Sequence, residues 1–176
     1  MKKFCISFLI IAIIFLSGIG LNASQTQPEK EYLRIHIRAN SNLEVDQNVK
    51  YKVKQQVVEY LTPFISECTT KQKAQQTLND NLRAIESVAD KVLSEHGFNY
   101  KSSAGVKNER FPTRVYGKLQ LEEGFYDALI INLGSGEGDN WWCVVYPPLC
   151  FTEGKTGYQY RSKILDVIND FFNKEK

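Results

Sequence analysis

Cys143 and Cys150 are the residues best suited to do chemistry in this 176-residue chain. They flank the segment Asn140-Trp141-Trp142-Cys143-Val144-Val145-Tyr146-Pro147-Pro148-Leu149-Cys150-Phe151, which also holds both tryptophans. A thiol nucleophile needs a base within reach and a group to orient that base, and Cys143, His36 and Asp139 could fill those roles. Such a set would make an exported thiol hydrolase or transferase acting on cell-wall material. The competing use is covalent. In an oxidising compartment neighbouring cysteines pair. A Cys143–Cys150 bridge would close a short loop around Pro147-Pro148 and remove about 2.5 kcal/mol of unfolded-state entropy. A bridged nucleophile is inert, so the two uses exclude each other, and under the second Cys68 stays free.

Other chemistries find little support. There is no His-Glu-x-x-His, no Gly-x-Ser-x-Gly and no phosphate loop with its lysine. With two histidines and four cysteines in unlike settings, the chain offers few ligands for zinc, and no metal or cofactor is expected. His36 falls on the exposed face of a predicted strand, and His96 at a helix end where a cation suits the dipole. The run Gly134-Ser135-Gly136-Glu137-Gly138 follows a strand as phosphate cradles do. It leads into Trp-Trp-Cys rather than a helix, so it is expected to be a flexible hairpin connection. Glu137 and Asp139 alone are too few oxygen ligands for calcium. If Trp141 to Tyr146 is a strand, Trp141, Cys143 and Val145 face one way, and Trp142, Val144 and Tyr146 the other. One row enters the core. The other is a candidate protein-binding anchor.

The elements that must position these residues begin behind a leader. Met1-Lys2-Lys3 precedes an apolar run from Phe4 to Leu21 and the small polar residues Asn22, Ala23 and Ser24. Residues 1–24 therefore read as an export signal or an N-terminal membrane anchor, the run spanning about 27 Å as a helix. Without Lys2 and Lys3 the 22 basic residues become 20, equal to the 20 acidic ones. A neutral exported domain argues against nucleic acid and charge-held lipid as partners. Membrane contact is expected only through the leader, if uncleaved. Lys50, Lys52 and Lys54 read as a solvated helix face.

Residues 25–176 are expected to form one domain. Glu31 to Arg38 alternates as a half-buried strand, with Leu33, Ile35 and Ile37 inward and Arg34, His36 and Arg38 outward. Ser41 and Glu44 fit a capping box ahead of a helix with the stripe Val45, Val49, Val53, Val57, Leu61 and Phe64, closed near Pro63. A second helix runs from near Thr69 to Gly97. Phe98–Val106, Thr113–Leu121 and Phe125–Leu133 read as strands, with a turn at Glu122-Glu123-Gly124. Ile164, Leu165, Ile168, Phe171 and Phe172 give a short C-terminal helix. The fold expected is α+β: a mostly antiparallel sheet of four to five strands, with two long helices and the short C-terminal helix packed on one face.

Two blocks also carry a family resemblance. Arg34-Ile35-His36-Ile37-Arg38-Ala39-Asn40-Ser41-Asn42, with Asp46-Gln47 and Lys50 behind it, resembles the N-terminal signature of stage II sporulation protein R. Gly136-Glu137-Gly138-Asp139-Asn140 and the tryptophan segment through Phe151 resemble its second signature. The likeness is colinear from about Tyr32 to the C terminus, with Arg38 standing where an aliphatic or small residue is expected. The resemblance implies a non-enzymatic signal of endospore formation, secreted across the forespore membrane into the space between forespore and mother cell. There it would activate a membrane-embedded aspartic protease, sporulation protein GA, which processes the precursor of mother-cell sigma factor E. Trp141, Trp142, Tyr146, Asn140, Arg38 and Asn40 are the candidate partner-binding residues, and Cys143 and Cys150 the candidate disulfide.

Overall fold

A computed structural model describes residues 31–152 and 158–174, with side chains in the last helix described from 163 onward. The leader reading of residues 1–24 lies outside the described residues. Among the described residues there are six strands: β1 Leu33–Arg38, β2 Ser102–Phe111, β3 Arg114–Tyr116, β4 Leu119–Leu121, β5 Gly124–Leu133 and β6 Asn140–Tyr146. The helices are α1 Glu44–Ile65, α2 Lys71–Asp80, α3 Leu82–Glu95 and α4 Tyr158–Lys174. The class is α+β, and among the described residues all the helices pack on one face of a four-stranded sheet of order β2-β5-β1-β6.

The sheet is mixed rather than mostly antiparallel. β1 runs parallel to β5, while β6 on β1 and β2 on β5 are antiparallel. The parallel pair is central, where both faces are covered, and Ala128 to Ile131 of β5 is accordingly a continuous buried run. The strand expected over Thr113–Leu121 folds back on itself at Gly117, which has φ +61, making a separate β3–β4 ribbon. A glycine adopts that left-handed backbone without a Cβ clash.

In α1 the residues Val49, Val53, Val57, Leu61 and Ile65 build the buried stripe. Val45 and Phe64, expected in it, are 60% and 41% exposed, whereas Lys50 is buried. No Ser41–Glu44 capping box forms. Leu43 occupies the cap position, and Ser41 Oγ instead accepts from Leu43 N–H and donates to Asp46. The expected second long helix breaks at Asn81. Its Nδ2 donates to the Thr77 carbonyl at 2.8 Å and its Oδ1 accepts from Tyr60 Oη at 2.8 Å, so the amide competes with the helical ladder. Thr70, not Thr69, caps α2 by accepting from Lys73 N–H. Gly97, at φ +78, closes α3 with Phe98 N–H returning to the Leu93 carbonyl. The C-terminal helix is not short: it has 17 residues.

The sheet thus has two covered faces. Leu33, Ile35, Ile37, Leu129, Ile131, Leu133, Cys143 and Val145 pack beneath the helices. On the other face Phe111, Tyr126, Ala128, Ile130 and Val144 are roofed by Tyr116, Leu119 and Leu121 of the β3–β4 ribbon. That roof corrects the half-buried reading of β1. Arg34 is fully buried and His36 is 5% exposed.

Candidate functional site

β5 and β6 are not neighbours, because β1 lies between them. The connection Gly134–Asp139 is therefore a crossover past the end of β1, not a hairpin, and it must meet the residues that leave β1. This is why two blocks roughly 100 positions apart come together. Gly138 N–H donates to the Ala39 carbonyl at 2.8 Å, Ser135 Oγ to the Asn40 carbonyl at 2.7 Å, and Ser135 N–H to Asn40 Oδ1 at 3.0 Å. Asp139 N–H donates to Asn42 Oδ1 at 2.6 Å. Lys50 is 1% exposed and donates to the Asp139 carbonyl at 3.0 Å and Gln47 Oε1 at 2.6 Å. Burial lowers its pKa, opposed by the Asp139 charge. The contact is tight enough that a Cβ on Gly134 would meet Asn40 Oδ1 at 2.2 Å.

Asp46 anchors the same junction from below. Its carboxylate accepts from Asn40 Nδ2, Ser41 Oγ and Tyr100 Oη, the last at 2.6 Å. Burial would raise its pKa, but these three donors outweigh burial and hold it below the ordinary value. The Tyr100 hydroxyl is pushed up, by burial and by the carboxylate it faces.

The roofed face of the sheet holds a second polar group. Arg34 stacks on Phe111 at 4.2 Å and on Tyr126 at 4.9 Å, and its Nη2 donates to Tyr116 Oη at 2.8 Å. Its Nε and Nη1 have no partner. His36 lies between Phe111 and Trp142, with ring centroids 5.6 and 5.3 Å away. Its Nδ1 is 3.5 Å from Glu109 Oε1, and neither ring nitrogen makes a hydrogen bond. Burial lowers its pKa, with Asn140 and Glu109 acting the other way. Arg38 pairs with Glu109 and reaches Asn132 Oδ1 at 3.4 Å.

The candidate residues of β6 divide between the two faces of the sheet. Trp141 is half-buried on the helix side, with Lys54 Nζ 5.4 Å above its ring. Trp142 is half-buried on the roofed side, under the Arg114 guanidinium at 4.1 Å. Asn140 begins the same strand, its Oδ1 buried without a partner. Tyr146 does not share a face with Trp142. The β1–β6 register shifts between Leu33 and Arg34, and Tyr146 turns onto the helix side, 5.8 Å from Phe171, donating to the Thr69 carbonyl at 2.7 Å. The alternation rule misses it because a bulge adds one residue.

Cys143 and Cys150 form a disulfide with Cα atoms 6.0 Å apart. Cys143 pairs in register with Ile35 and shares its helix-side face, while His36 pairs with Trp142 on the opposite side. The thiol–imidazole pair of the hydrolase reading is therefore not assembled. Cys68 is a free, buried thiol whose pKa burial raises. Among the described residues no cluster of side chains is arranged to hold a metal ion. Sequence reasoning missed Arg114 and Tyr116, which lie in an expected strand not foreseen as a roof, and Glu109, because the strand expected to end at Val106 in fact runs Ser102–Phe111.

The family model described as stage II sporulation protein R matches residues 29–156, a span that includes all six strands and both halves of the junction. The stage II sporulation protein R of Bacillus subtilis (strain 168) is 32% identical over 168 residues, covering 89% of this chain and 75% of that relative. No solved structure matches. Both comparisons take in the crossover and the roofed strand together, and this chain belongs to the stage II sporulation protein R family, with a role in sporulation.

Proposed function

We propose that this chain is an exported signal of endospore formation that activates a membrane-embedded aspartic protease, sporulation protein GA, and so triggers processing of the precursor of mother-cell sigma factor E. The observation that carries the reading is family membership across residues 29–156, behind a basic and apolar N-terminal segment. The arrangement of side chains supports it. Asn40 and Lys50 are engaged within the junction, while Asn140, Trp141 and Trp142 stand half-buried at the sheet edge beneath the cations Lys54 and Arg114. Rigidly held aromatic side chains of this kind make binding anchors at low entropic cost.

A ligand activates a protease only by binding its active form more tightly than its inactive form. In this reading the domain is released between forespore and mother cell, or held there by residues 4–21, and presents its β6 edge to the protease. The test is co-expression of chain, protease and precursor in a non-sporulating host. Cleavage that depends on the chain is the expected result. Equal cleavage without it would sink the activator reading.

A further inference from the structure

The two guanidiniums on the roofed face lack an anion. Arg34 is fully buried, and among the described residues neither it nor Arg114 makes an ion pair with a carboxylate. Arg34 Nε and Nη1 and Arg114 Nε are buried donors without acceptors. Burial lowers the Arg34 pKa, Tyr116 and Tyr126 oppose it, and the nearby Arg114 cation adds to the lowering. A buried cation carries a heavy desolvation cost unless it is paired and hydrogen-bonded. Stacking on Phe111 and Tyr126 and the one bond to Tyr116 offset part of that cost, but leave Nε and Nη1 without an acceptor.

The roof can shift without breaking the main sheet, although doing so uncovers part of the apolar cluster beneath it. β3 and β4 pair only with each other, and no ladder joins them to the four-stranded sheet. They are held over it by the Arg34–Tyr116 bond, the Arg114–Trp142 stack and the packing of Tyr116, Leu119 and Leu121. Shifting them breaks side-chain contacts and leaves the main sheet intact.

We propose that Arg34 on β1 and Arg114 on the β3–β4 ribbon above it form a binding site for a carboxylate group. A planar carboxylate fits the in-plane fork of a guanidinium with two parallel hydrogen bonds. Phe111 and Tyr126 already lie against the Arg34 guanidinium and Trp142 against that of Arg114, so the donors left for a ligand are those in the guanidinium planes. The carboxylate has two possible sources, a free small acid or an acidic side chain of a partner protein.

The test uses the full chain in detergent, titrated with acetate and succinate, with chloride and phosphate as comparators at matched ionic strength. Tryptophan emission reports on Trp141 and Trp142 together, and the melting temperature reports on binding to the folded state. A saturable response to the carboxylates is expected, at least about tenfold weaker in Arg34→Met and Arg114→Gln. Arg34→Met replaces an unpaired buried cation with an apolar side chain, so it is expected to fold at least as stably as the parent. This arm does not depend on the receptor reading.

The protease co-expression assay then separates the sources. Activation lost in both variants and restored in part by Arg34→Lys assigns the carboxylate to the partner, whether or not free acids bind. Activation kept, with the carboxylate response lost, assigns it to a free acid. A response to carboxylates no larger than to chloride, together with full activation by both variants, overturns the proposal. So does a preference for phosphate.

Discussion

Gly138→Ala tests whether the crossover is held to the start of α1 as tightly as its geometry requires. A Cβ at this position would lie 2.2 Å from the Ser41 carbonyl oxygen, 2.5 Å from its carbon and 2.9 Å from its Cα. All three are backbone atoms, so no rotamer change relieves the clash, and the crossover must lift. Overpacking of this kind costs about 1–3 kcal/mol. Lifting also breaks the bonds from Gly138 N–H to Ala39 and from Asp139 N–H to Asn42, each worth about 1 kcal/mol. It further strips the buried Lys50 ammonium of one of its two acceptors, which costs about 1–3 kcal/mol. With partial relaxation the expected loss is about 4 kcal/mol, a large part of the ~5–15 kcal/mol that holds an ordinary domain together. Guanidinium unfolding followed by tryptophan fluorescence measures it. Gly105→Ala is the control, because its nearest neighbour would be Lys107 Cε at an ordinary 3.5 Å, and it should move stability by less than about 1 kcal/mol. A Gly138→Ala protein within about 1 kcal/mol of the parent would refute the reasoning.

Three further outcomes follow from the same geometry. Tyr100→Phe removes one of three donors to the Asp46 carboxylate and should cost about 1.5–3 kcal/mol by the same unfolding measurement. Replacing Cys143 and Cys150 together with serine should lower stability by about 2.5 kcal/mol while leaving a cooperative transition; loss of all activation in a fully stable variant would instead reopen the nucleophile reading. His36 is buried with its pKa lowered, so the unfolded chain takes up its proton before the folded one does. Stability should therefore fall as pH drops below about 6.5, and His36→Phe should flatten that slope in melting curves recorded across pH.

The elements most legible in the sequence were those whose pattern depends on one contact surface. The middle of the α1 stripe, a helix start close to Thr69, the stop at Gly97 and the inward row Leu33, Ile35 and Ile37 of β1 all report local geometry. What eluded the pattern depends on a second surface. Arg34 and His36 look solvent-facing because polar residues in a strand usually are, and nothing within β1 announces that Arg114–Leu121 will fold over them. The parallel pairing of β1 with β5 is likewise invisible to periodicity, which fixes the face of a strand but not the identity of its neighbour. Lys50 was misread because a buried lysine is intelligible only once the Asp139 carbonyl is in place. The tryptophan segment stands out by its residue types, yet the bulge that redirects Tyr146 has no signature in them.

The central place of β1 bears on when this domain can fold. β1 is the first described strand, yet its partners are β5 and β6, whose registered residues lie roughly 95 to 110 positions later. A chain emerging from a ribosome or a translocation channel with its N terminus first presents Leu33–Arg38 long before either neighbour exists. The helices can form meanwhile, but the surface they cover is incomplete until β5 and β6 have emerged, and closing so long a loop slows the event further. The earliest signature block therefore acquires its shape only when the latest one arrives, and a partly delivered chain has no junction to offer.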